Sequence, residues 1–77
     1  MQFKWLEDLL CLAQTRSLTR AADSRHVTHP AFGRRIRALE TWVGVPLVDR
    51  TAFPTRLTPE GLLFLETARD AVGLLFA

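Results

Sequence analysis

Thr28-His29-Pro30-Ala31-Phe32-Gly33-Arg34-Arg35-Ile36-Arg37-Ala38-Leu39-Glu40 opens like a helix and separates an oily side from a basic one. Thr28 is suited to cap the first turn with its hydroxyl, and Pro30 sits where a missing N–H costs no helical hydrogen bond. Val27 before the cap and Phe32 four positions after it are placed to close a hydrophobic staple. Phe32, Ile36, Leu39 and Val43 then recur at spacings of four, three and four, so they share one stripe. Pro30, Arg34, Arg37 and Thr41 fall on the opposite side of the wheel, with His29 and Gly33 beside them. One face suits a core; the other offers water a set of guanidinium groups, with small residues near the N-terminus. This is the layout of a helix that enters a DNA major groove by its tip.

The sequence before this stretch supplies what such a helix needs to lean on. A first helix is expected over about Phe3 to Thr15, with Trp5, Leu6, Leu9, Leu10 and Ala13 inward and Lys4, Glu7, Asp8 and Gln14 outward. Ser17 is a good cap for a short second helix, about Leu18 to Ser24, whose Ala21-Ala22 pair allows another helix to cross closely. Arg25-His26-Val27 forms the turn that follows. Arg25 stands where such turns usually carry a leucine-like plug, so it is expected to project to solvent or phosphate and leave Val27 to fill the core alone. Short helix, tight turn and longer amphipathic helix make a helix-turn-helix, whose first helix lies across the DNA backbone and whose second reads bases.

After the basic helix, Gly44 is a ready left-handed stop and Pro46 prevents continuation. Val45 to Arg50 and Arg56 to Thr58 read as two short extended segments around the tip Thr51-Ala52-Phe53-Pro54-Thr55, a β-hairpin that serves as a wing. Arg50 and Arg56 flank its loop and are placed for DNA backbone or minor groove, where negative potential favours arginine. Thr58-Pro59-Glu60 starts a last helix that runs to the end of the sequence. Its Leu62, Leu65, Val72, Leu75 and Phe76, together with Phe64, Ala68, Ala71 and Leu74, make it apolar around much of its circumference. A small domain cannot bury both sides. The excess points to a partner helix, most simply the same helix of a second copy. The expected fold is mainly α: a winged helix-turn-helix over residues 1–58 with a two-stranded hairpin wing, then a C-terminal linker and dimerisation helix over 59–77.

Seventy-seven residues suffice for one domain that buries roughly 60% of its unfolded surface. The net charge of +2 is unremarkable, but eight arginines lie between Arg16 and Arg56 against Asp23, Glu40 and Asp49. Nine of the ten basic residues are arginine, which favours bidentate contacts to phosphate and guanine over diffuse charge. No apolar run approaches the ~20 residues of a membrane span, and no signal peptide is recognisable, so a cytoplasmic chain is expected. Cys11, alone on an apolar helix, reads as a core residue in a reducing compartment. Cys11, His26 and His29 suggest no nucleophile–base pair, and two histidines three apart cannot supply the four ligands of structural zinc. No catalytic residue, metal or cofactor is expected.

Several segments together resemble the N-terminal DNA-binding domain of LysR-type transcriptional regulators: Ser17-Leu18-Thr19-Arg20-Ala21-Ala22, Thr28-His29-Pro30-Ala31-Phe32, Arg35-Ile36-Arg37-Ala38-Leu39-Glu40, Gly44-Val45-Pro46-Leu47, Asp49-Arg50 and Arg56-Leu57-Thr58-Pro59-Glu60-Gly61. The likeness runs from about Trp5 to Gly61 and continues loosely into the last helix. Ser24-Arg25, Val27 and the run Phe32 to Glu40 are similar to the hypochlorite-responsive branch. The resemblance implies sequence-specific binding of double-stranded DNA as a homodimer, paired through antiparallel linker helices, with tetramers in the full-length parent. It also implies an effector-binding domain of periplasmic-binding-protein type outside this stretch, through which any small-molecule or redox effector would act. Carried over by position, Thr28, His29, Pro30, Gly33, Arg34 and Arg37 would contact DNA from the reading helix, and Arg50 and Arg56 from the wing. The family commonly has glutamine at His29, serine at Gly33 and phenylalanine at Val48. Gly33 removes a hydroxyl and costs about 1 kcal/mol of helix propensity relative to alanine, yet it allows a close approach. The competing reading is a winged helix used only for protein association. A basic reading face distinguishes the two, because it predicts retention on DNA at low salt.

Overall fold

The computed structural model describes residues 2–76, with side chains at 72 and 74–76 excepted. The elements are α1 (Phe3–Thr15), α2 (Leu18–Ser24), α3 (His29–Val43), β1 (Val48–Asp49), β2 (Arg56–Leu57) and α4 (Pro59–Phe76). The order and type of every element agree with the sequence reading.

Each boundary has a local cause. Ser17 accepts a hydrogen bond from the Arg20 amide and starts α2. The Thr28 hydroxyl accepts from the Ala31 amide at 3.2 Å and starts α3. Gly44 ends α3 at φ 94°, and its amide donates to the Glu40 carbonyl at 2.7 Å. At the start of α4 the Thr58 hydroxyl accepts from the Gly61 amide and donates to the Pro46 carbonyl.

The three N-terminal helices enclose Leu9, Leu12, Ala21, Ala22, Phe32, Ile36 and Leu39, all essentially without solvent exposure. Val27 packs against this cluster, as expected of the only apolar residue in the turn. The hairpin pairs Val48 with Leu57 and Asp49 with Arg56, antiparallel. Two pairs alone cannot hold a hairpin in water. It is anchored instead by Leu47, Val48 and Leu57, which are buried in the core, and by the Thr55 amide, which donates to the Arg16 carbonyl at the end of α1.

Helix α4 closes the far side. Leu65 and Ala68 are buried in the chain's own core, and Gly61 lies so close to the Leu47 carbonyl that a Cβ there would collide with it. This corrects the assignment of Leu65 to a dimer surface: only 5% of it reaches solvent. Leu62 and Leu63, by contrast, are 56% and 67% exposed. The expected dimer residues Val72, Leu75 and Phe76 have side chains outside those described.

Candidate nucleic-acid interface

Helix α3 shows the two-sidedness expected of it. Phe32, Ile36 and Leu39 are fully buried, whereas Thr28, His29, Pro30, Arg34, Arg37 and Thr41 are exposed. Arg34 and Arg37 have no ion-pair partner among the described residues, so their donors face water. The helix runs unbroken through Gly33, and a Cβ at that position would meet nothing within 4 Å. Packing within the chain therefore does not demand a glycine. His29, the first helical residue, places Nε2 3.1 Å from Asp23 Oδ1, which ties the tip of α3 to the end of α2 across exposed surface.

The wing arginines are braced as well as exposed. Glu40, near the end of α3, accepts the Leu47 and Val48 amides on Oε2 at 2.8 and 3.2 Å, and Arg50 Nη2 lies 3.0 Å from Oε1. Burial pushes the Glu40 carboxyl up, but Arg50 and the two amides outweigh that and hold it below the ordinary value. Arg56 Nε donates to Asp49 Oδ2 at 3.3 Å. The Asp49 carboxyl is lowered, first by the Thr51 hydroxyl at 2.6 Å and then by the Thr51 amide. Both arginines keep exposed surface, and Phe53 at the wing tip is wholly in solvent.

Two expectations fail together, and for one reason. Asp8 does not face outward; it is completely buried. Its Oδ1 accepts from Arg25 Nε at 2.8 Å and Arg35 Nη2 at 2.9 Å, and its Oδ2 accepts from Arg35 Nε at 2.7 Å. Arg25 also approaches Glu7 at 3.7 Å. The hydrogen bond to Asp8 raises the Arg25 pKa above the ordinary guanidinium value, against the effect of burial. Arg25 and Arg35 therefore turn into the domain rather than toward solvent or phosphate. The sequence did hold a signal: Asp8 lies three residues after Trp5 and four before Leu12, on the inner stripe of α1. A carboxylate there needs an internal cation, because an unpaired buried charge is prohibitively costly.

Two exposed arginines on α3, beside a braced basic hairpin and on a three-helix core, define a winged helix-turn-helix of the DNA-binding class. Residues 3–62 match the model of the bacterial regulatory helix-turn-helix proteins of the lysR family, and the chain belongs to that family. It is 47% identical over 64 residues, 83% of its own length, to the HTH-type transcriptional regulator YjiE of Escherichia coli K12. Among solved structures it is similar to Vibrio fischeri DarR in complex with DNA, with TM-score 0.93 and 52% identity over 97% of this chain. It is also similar to full-length HypT, a hypochlorite-specific LysR-type regulator from Salmonella, with TM-score 0.90 and 43% identity over 97% of this chain. The chain spans 21%, 26% and 26% of those three proteins. Among the described residues no helix is long and apolar enough to cross a membrane, and no group of three or more side chains is arranged to hold a metal ion.

Proposed function

We propose that this chain reads duplex DNA by inserting the N-terminal half of α3 into the major groove, as the DNA-binding part of a transcriptional regulator. The observation that carries this is the pair Arg34 and Arg37, exposed and without an ion pair among the described residues, on a helix whose opposite face is buried. Thr28, His29, Pro30 and Gly33 form the narrow tip that approaches base edges. A good bidentate arginine–guanine contact supplies ~1–3 kcal/mol of discrimination. Arg50 and Arg56 meet the backbone or minor groove from the wing. Arg20, exposed at the start of the helix-turn-helix, sets register on the phosphates.

Two copies would pair through α4, with residues 1–58 as the DNA-reading unit and 59–77 as the linker. The exposure of Leu62 and Leu63 supports that pairing. Association is then a component of DNA binding rather than a rival to it. The likeness to HypT supports a place near the hypochlorite-responsive branch, with any effector acting through sequence outside this chain. The test is selection of bound sites from a random duplex pool, followed by comparison of Arg34→Ala on the selected and a scrambled duplex. The selected duplex should lose more, by roughly tenfold or above, than the scrambled one. Equal loss on both makes Arg34 a phosphate contact, and the absence of any enriched site sinks the proposal.

A further inference from the structure

Three guanidinium–carboxylate hydrogen bonds converge on one fully buried residue, Asp8, from two different elements: Arg25 in the turn and Arg35 in the middle of α3. The Arg35 pair is a two-point clamp, with Nε on one carboxylate oxygen and Nη2 on the other. A clamp of that kind resists rotation as well as separation. Arg34 precedes Arg35, and Arg37 lies two residues beyond it. Any turn of α3 about its axis would carry all three together.

We infer that Asp8 is a positioning residue for DNA reading: it fixes the rotation of α3, and it keeps Arg25 and Arg35 off the phosphates. The inference rests on the DNA-reading proposal above. With side chains about 5–6 Å from the axis, a 10° rotation moves their tips by about 1 Å. Donor–acceptor distances in a good hydrogen bond span only about half an ångström, so such a shift breaks a two-point contact to a base. Phosphate contacts tolerate it better, since charge attraction has no sharp geometry. Asp8 therefore acts on specificity more than on affinity.

The same geometry has a second consequence. Arg25 and Arg35, held on Asp8, are kept off the phosphates and do not take part in counterion release. Removing the carboxylate charge frees two guanidinium groups beside the DNA-facing surface. Each new phosphate contact adds about 0.9 to the magnitude of the slope of log affinity against log salt. Asp8→Asn should thus bind a scrambled duplex with a slope steeper by about 1–2, while its preference for the selected duplex falls tenfold or more.

The experiment measures the 77-residue protein, Asp8→Asn and Gln14→Lys by fluorescence anisotropy, on the selected and scrambled duplexes, across a salt series. Gln14, exposed on α1, gives the same change in net charge outside the cluster, the reading face and the α4 pairing surface. The expected result is a lost preference with a steeper scrambled-duplex slope in Asp8→Asn alone. A preserved preference in folded Asp8→Asn, or the same slope change in Gln14→Lys, overturns the inference. Where circular dichroism shows Asp8→Asn unfolded, the triple variant Asp8→Leu/Arg25→Met/Arg35→Met replaces it, since buried ion clusters exchanged for apolar residues commonly keep their fold. This variant should lose the preference without any steepening of the slope, and retention of the preference overturns the inference. A wild-type protein with no preference at all refutes the DNA-reading proposal instead, and that result needs no variant.

Discussion

Replacing Glu40 by alanine should weaken the fold by cutting the tie between α3 and the start of the wing. The carboxylate accepts the Leu47 and Val48 amides, and both of those residues are buried. Truncation leaves two amides without an acceptor, at about 1–3 kcal/mol each. The partly exposed pair with Arg50 adds at most about 1 kcal/mol. A loss of about 3 kcal/mol is therefore expected, against roughly 4–11 kcal/mol for a chain of this length. With a urea dependence of about 1 kcal/mol per molar, the unfolding midpoint followed by tryptophan fluorescence falls by 2–3 M, and by about half that for Glu40→Gln. The pH dependence has a definite sign. The folded carboxyl is held below its ordinary value of 4.5. Its contribution is fully present above that value and is lost as pH falls through the lower folded value. The gap between wild type and Glu40→Gln should close as pH falls below 4.5. A gap under about 0.5 kcal/mol at neutral pH, or one that stays constant into acid, refutes the bracing role.

Other substitutions probe other parts of the structure. Gly33→Ala should raise stability in urea by about 0.5–1 kcal/mol, since a Cβ there meets nothing; a destabilised variant would show that α3 packs differently. Gly61→Ala should cost about 1–3 kcal/mol, because its Cβ collides with the Leu47 carbonyl, and unchanged thermal unfolding would contradict that contact. Leu65→Ala should cost about 2–4 kcal/mol by urea titration with little effect on dimerisation. Leu62→Ala should do the reverse in analytical ultracentrifugation, and identical behaviour of the two would erase the distinction between inner and outer faces of α4.

The helices were legible because their signals are local. Ser17, Thr28 and Thr58 cap as their residue types suggest, and Phe32, Ile36 and Leu39 point inward as their spacing requires. The exposed arginines Arg34 and Arg37 followed from the same wheel. What escaped were pairings across long stretches of chain. Asp8 meets Arg35 twenty-seven positions away, and no periodicity within either helix announces the partner. Charge is a sign of exposure for most residues, and it fails where one carboxylate can gather two guanidinium groups. The burial of Leu65 is hidden for a related reason. A helix apolar on all sides does not say which side its own domain claims, and only the approach at Gly61 decides that.

That approach also sets an aim. Helix α4 is 18 residues long, so its far end lies about 27 Å from its start. A tilt of 10° at Pro59 would swing that end by about 5 Å. With backbone seated directly on backbone at Gly61, the rod leaves the domain like a barrel bolted to its mount, and its bearing is decided at its base.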